Sequence, residues 1–228
     1  MDLLNLIKII AAVITVIIAF TVGVIELRLN PNNSLNRWFF LFFISVSFGF
    51  LAYTSYHIIL FNSKLVIPVM ITAQISYNII PISLVMTVFI LEKYKKVAMS
   101  FKYLGTMIIL FIIMSIGYFI WIPELDMTKY SQGIVDTKTP IGLLIFVNLI
   151  RIALFSFVVY KYHKITKNIG EDTKKKVQWF FMGIIVAVVA LIFNLAGGIG
   201  EGSILLEIIA MIAFDIGSLL IFKGFLMK

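Results

Sequence analysis

The chain has 228 residues, of which 61% are hydrophobic and 13% charged, with 19 lysines and arginines, 11 acidic residues and no cysteine. Soluble domains average about 45–50% apolar and ~25% charged residues, so this composition excludes an ordinary water-soluble domain; the absence of cysteine excludes a disulfide framework, thiolate catalysis and a cysteine metal site. The formal charge of +8 is gathered in alternate loops, which fits anionic lipid headgroups and membrane topology rather than nucleic acid.

Seven apolar runs of membrane length use up almost the whole chain, so a single all-α, polytopic seven-transmembrane bundle over residues 1–228 is expected. The first run, about Leu4–Leu27, is too long and lacks the small-residue site of a cleavable signal peptide. NPNNSLNR then breaks the helix, and the second run covers about Trp38–Phe61. The third, about Leu65–Leu91, contains Pro68 and Pro81, and Pro81 is expected to kink it as a hinge by removing a backbone hydrogen bond. The basic link EKYKKVAMSFK leads to the fourth run, about Tyr103–Trp121, and the longest polar loop, Ile122–Thr139, follows. The fifth, sixth and seventh runs are about Pro140–Tyr162, Val177–Ile199 and Ile204–Phe225, joined by the charge-dense KITKNIGEDTKKK and the glycine-rich AGGIGEG, read as an outer turn.

Fourteen lysines and arginines fall in the links after runs one, three and five and at the C-terminus, from Arg28 to Lys228; only Lys8, Lys64, Lys129 and Lys138 fall on the opposite side. This bias predicts an outside N-terminus, a cytoplasmic C-terminus and a cell-membrane location. NRWFFLFFISV opens run two and VQWFFMGIIVA opens run six, an echo compatible with a parallel 3+1+3 repeat.

Arg151 stands near the middle of run five, where an arginine needs a partner or water. Asp215 in run seven lies at matching depth, since each is 11 residues inward from its run's outer end (Pro140 and Ile204), about 16 Å at the helical rise. An Arg151–Asp215 pair acting as a buried ligand site or conformational lock is therefore expected. Asn148 shares a face with Arg151, Gln74 shares one with Asn78 beside Pro81, and Glu207 shares one with Asp215. With Asn194 these residues outline a polar cavity at middle and outer depths; the bland alternative is interhelical hydrogen bonding. His57 and His163 sit at opposite membrane faces, so they read as interfacial side chains, with no histidine metal cluster between them. No catalytic motif or cofactor-binding loop is present, and no span collects the acid, base and metal ligands that an enzyme needs. Lys223 lies too near the end of run seven to carry a retinal Schiff base.

RLNPNNSLNRWFFLFF, KKKVQWFFMGIIVA and IAFDIGSLLIFKGFLMK together resemble the N-terminal seven-transmembrane sensor region of prokaryotic histidine kinases. The resemblance covers nearly the whole layout and implies an N-out, C-in bundle that senses a stimulus and passes it to a cytoplasmic output. It supplies no residue-level site, and no dimerisation helix, phosphoacceptor box or ATP-binding domain follows run seven. The expected function is thus a non-enzymatic sensor or receptor-like module, without a cofactor. It would sit among anionic headgroups, signal through a separate cytoplasmic protein and form a homodimer where pairing is needed. The alternative is a small-solute transporter or channel using a mid-membrane Arg/Asp site; a structural subunit is a third reading.

Overall fold

The computed structural model describes residues 3–167, 170–199 and 204–226. Seven of its helices are long and apolar enough to cross a membrane. They are α1 (Leu3–Leu29), α2 (Ser34–Ile58), α3 (Ser63–Ala98), α4 (Thr106–Ile120), α6 (Ile141–Thr166), α7 (Glu171–Ile199) and α8 (Ile204–Leu226). Between α4 and α6 the chain forms a small cap: β1 (Glu124–Leu125), the one-turn α5 (Met127–Ser131) and β2 (Thr137–Lys138), with β1 and β2 antiparallel. Large apolar side chains are exposed around the outside, among them Ile17, Phe20, Ile109 and Leu149. Such a surface suits hydrocarbon, whereas in water it would drive association.

The helices close a ring. α1 packs on α2, α2 on α3, α3 on α6, α6 on α7, α7 on α8, and α8 back on α1, while α4 lies outside against α3 and α6. This neighbour order is compatible with a 3+1+3 arrangement, in which α1, α2 and α3 would correspond to α6, α7 and α8. With Trp38 laid on Trp179, Phe39 falls on Phe180, and these two rings meet edge to face at 5.1 Å.

Several stretches that read as links are ordered. Asn33 and Asn62 accept hydrogen bonds from the backbone N–H groups of Leu35 and Lys64, and so start α2 and α3 sharply. α3 keeps helical dihedral angles through the buried Pro81; its departure falls at Tyr94 (φ 62°, ψ 156°), after which the chain is helical to Ala98 and enters a π-helical turn at Phe101–Gly105. A non-glycine residue in that region is strained. Tyr94 is 83% exposed, so its side chain adds little packing. Tyr94→Gly is therefore expected to raise stability by about 1 kcal/mol in thermal unfolding, because glycine adopts these angles without strain. α6 and α7 continue into the lysine-rich segment, so that what reads as a loop is largely helix. Residues 200–203 of the glycine-rich link, and the side chains of 171–173 and 176 in GEDTKKK, lie outside the described residues.

In the cap, Asp126 accepts from the Thr128 and Lys129 backbone N–H groups and pairs with Lys138 at 3.3 Å. The Lys129 N–H, with the Lys138 ammonium behind it, holds the Asp126 carboxyl below its ordinary range. The cap, the N-terminal end of α1 and the α2–α3 link share one end of the bundle; the α1–α2, α3–α4 and α6–α7 connections share the other, basic end.

Candidate functional site

α6 turns Arg151 inward, where it is 5% exposed. Its Nε and Nη2 both donate to Asn78 Oδ1, at 3.0 and 2.7 Å, Nη2 also donates to Gln74 O and Oε1 at 3.0 and 3.2 Å, and Nη1 donates to Asn148 Oδ1 at 3.3 Å. The spacing explains why these groups converge. Gln74 and Asn78 lie one turn apart on α3, Asn148 and Arg151 one turn apart on α6, and α3 packs against α6. α4 completes the network: Tyr118 donates to Gln74 Oε1 at 3.1 Å and Asn78 Nδ2 donates to Ser115 Oγ at 3.2 Å.

Arginine can only donate, so it dictates the orientation of its partners. All three amides turn their oxygens toward the guanidinium. Asn148 Nδ2 then donates to Leu144 O at 2.9 Å, whereas Gln74 Nε2 has no acceptor among the described residues. Among the described residues the guanidinium meets only neutral dipoles, and its charge has no counter-ion.

The expected Arg151–Asp215 pair is not formed. No carboxylate forms an ion pair with Arg151 among the described residues. Asp215 instead accepts from the Thr15 hydroxyl of α1, and Glu207, one of its face-mates on α8, forms an ion pair with Lys8, also on α1. The reason lies in the order of the ring. α7 stands between α6 and α8, so α6 presents its cation to α3 while α8 presents its acids to α1. Equal depth sets height in the bundle but not direction around the helix. Asp215→Asn is accordingly expected to cost no more than about 1 kcal/mol in thermal unfolding, because an amide oxygen still accepts from Thr15. A loss of several kcal/mol would show that the charge itself is required there.

Inside the ring a cavity of about 110 Å³ reaches the Arg151 network. α2 contributes Phe50 and Tyr53, α3 contributes Gln74 and Tyr77, α6 contributes Arg151 and Phe155, α7 contributes Asn194, and α8 contributes Phe214. Asn194 is exposed and stands at the cavity's rim. Tyr53 links the cavity to the Lys8–Glu207 pair: its hydroxyl donates to Glu207 Oε2 at 3.4 Å, and Lys8 lies 5.2 Å from its ring. Pro81 is buried one turn beyond Tyr77 on the same helix. His57 hydrogen-bonds through Nδ1 to the Tyr53 carbonyl at 2.9 Å, beside the Tyr53 and Tyr56 rings.

Sequence reasoning missed Thr15, Ser115 and Tyr118, and it gave Lys8 no role beyond the outer surface. Ser115 and Tyr118, three apart in an otherwise apolar helix, carried a visible signal of a shared polar face. Thr15 carried none, since a lone threonine in a membrane helix usually satisfies itself; here the Ala11 carbonyl, 3.0 Å from its hydroxyl, competes with Asp215 for its single proton. The chain matches no family model, no curated protein and no solved structure.

Proposed function

We propose that this protein is a non-enzymatic, receptor-like module of the cell membrane. In this reading a ligand in the central cavity biases the packing of the ring, and a separate cytoplasmic protein reads the change at the basic end. The observation that carries the proposal is the lining of the cavity by α2, α3, α6, α7 and α8. An occupant therefore touches both halves of the ring at once, and its contacts can favour one packing over another. The charge bias that orients the basic end toward the cytoplasm supplies the docking surface.

The test needs no known ligand. Ala190→Trp places a bulky side chain where the occupant would sit. The natural chain has no cysteine, so nitroxide labels can be placed uniquely at Lys96→Cys on α3 and Lys175→Cys on α7, both exposed at the basic end. The receptor reading expects the filled cavity to shift the distance distribution between the labels. An unchanged distribution, with the variant folded, removes the coupling on which the reading depends.

The 3+1+3 neighbour order supports transport as the second reading, because repeats around a midplane site suit alternating access. Flux of a small anion into proteoliposomes would favour it over the receptor.

A further inference from the structure

We infer that the occupant of the central cavity is a small carboxylate with an apolar body, held by Arg151; this rests on the receptor reading of the same cavity and names its ligand class. Among the described residues the cavity wall contains one cation and no acidic residue. Apart from the Tyr53 hydroxyl, which donates to Glu207, its other polar side chains keep donors without acceptors among the described residues. Gln74 Nε2 is left over when Gln74 Oε1 turns to Arg151 and Tyr118, and the Tyr77 hydroxyl and the Asn194 amide donate to no atom among the described residues. A buried guanidinium bonded only to neutral oxygens remains a charge in a low-dielectric setting, and an anion in the cavity supplies what the protein does not.

The remaining wall defines the rest of the ligand. Phe50, Phe155 and Phe214 line the cavity, so the body of the ligand is apolar. A single cation matches a single negative charge, and guanidinium is suited to a carboxylate. A phosphate, nearer two charges, is under-compensated here. Size limits the class further: the ~150 Å³ of an engineered apolar cavity admits benzene, and this one has about 110 Å³. A branched acid of four or five carbons fits, and benzoate, bulkier than benzene, is too large.

The test is equilibrium binding of radiolabelled isobutyrate to the purified full chain in nanodiscs. Unlabelled isobutyrate, benzoate, isobutyramide and chloride serve as competitors. Saturable binding is expected, with isobutyramide competing at least tenfold more weakly than isobutyrate and chloride more weakly still. Arg151→Met should lose at least tenfold in affinity while keeping a cooperative melting transition, and Ala190→Trp should abolish binding. Should Arg151→Met not fold, the isobutyrate–isobutyramide comparison on the natural chain still decides the charge requirement. Equal competition by the amide overturns the carboxylate assignment but leaves the cavity as a ligand site. Equal competition by chloride overturns the apolar body. Absence of binding overturns the ligand class, and binding that Ala190→Trp leaves intact overturns the cavity reading itself.

Discussion

Asn78→Leu is expected to destabilise the bundle by about 3–5 kcal/mol, because it removes two hydrogen bonds to a buried charge. The side chains are similar in volume, so packing is nearly conserved and the loss is electrostatic. Asn78 Oδ1 accepts from two Arg151 nitrogens at 3.0 and 2.7 Å, inside a site where Asn78 is fully buried. Hydrogen bonds to charged groups contribute about 1.5–3 kcal/mol each. The average for hydrogen bonds between transmembrane helices is only ~0.6 kcal/mol, because side chains often find other partners. That average does not govern here, since the Gln74 and Asn148 oxygens already accept from Arg151 and no further amide oxygen faces it among the described residues. The check is a double-mutant cycle followed by thermal unfolding in detergent. Arg151→Met added to Asn78→Leu should restore most of the lost stability, because an apolar side chain needs no oxygen beside it. Failure of the rescue would mean that Asn78 contributes chiefly through Ser115 and packing, not through the cation.

Gly183→Leu is expected to cost about 3 kcal/mol or more, at the upper end of what overpacking a core costs. α7 and α8 approach through their backbones. A Cβ on Gly183 would stand 2.5 Å from the Gly217 carbonyl oxygen and 2.8 Å from the Ile221 nitrogen. Neither atom can yield without moving the helix. Small residues at such a crossing allow the close van der Waals contact that holds membrane helices together where no hydrophobic effect separates them from lipid. The consequence reaches the cavity, because Ala190 and Asn194 on α7 and Met211 and Phe214 on α8 line it. Gly183→Leu should therefore reduce thermal stability and binding of the proposed carboxylate together, whereas Gly183→Ala should produce a smaller loss of both. Normal stability in the leucine variant would show that α7 and α8 can separate freely, and would remove close approach as the reason for these glycines.

The two predictions differ in how visible their grounds are in the sequence. Gln74 with Asn78, and Asn148 with Arg151, can be read as two polar faces from their spacing alone. That these faces meet follows from the packing of α3 against α6. Nothing in the spacing of Gly183 and Gly217 marks them out from the chain's other glycines; their importance lies in the crossing of two helices.

Apolar length and composition were enough to establish the seven spans and their order, because hydrocarbon permits no backbone that does not satisfy its own hydrogen bonds. They also located Arg151 as the residue most in need of company. Its company was another matter. Asp215 matched it in depth, yet depth is a coordinate along the membrane normal, and pairing depends on the angle at which each side chain leaves its helix and on which helix stands next to it. Those two quantities emerge only once α7 lies between α6 and α8 and α1 closes the ring against α8. The polar links were similarly ambiguous. Lysine-rich segments mark where the chain leaves hydrocarbon, but lysine is also a good helix former, so α6 and α7 extend past that boundary. One-dimensional periodicity thus accounts for the spans and the polar faces, whereas the counter-ion-free arginine and its cavity arise from ring closure, a long-range arrangement that no local spacing encodes.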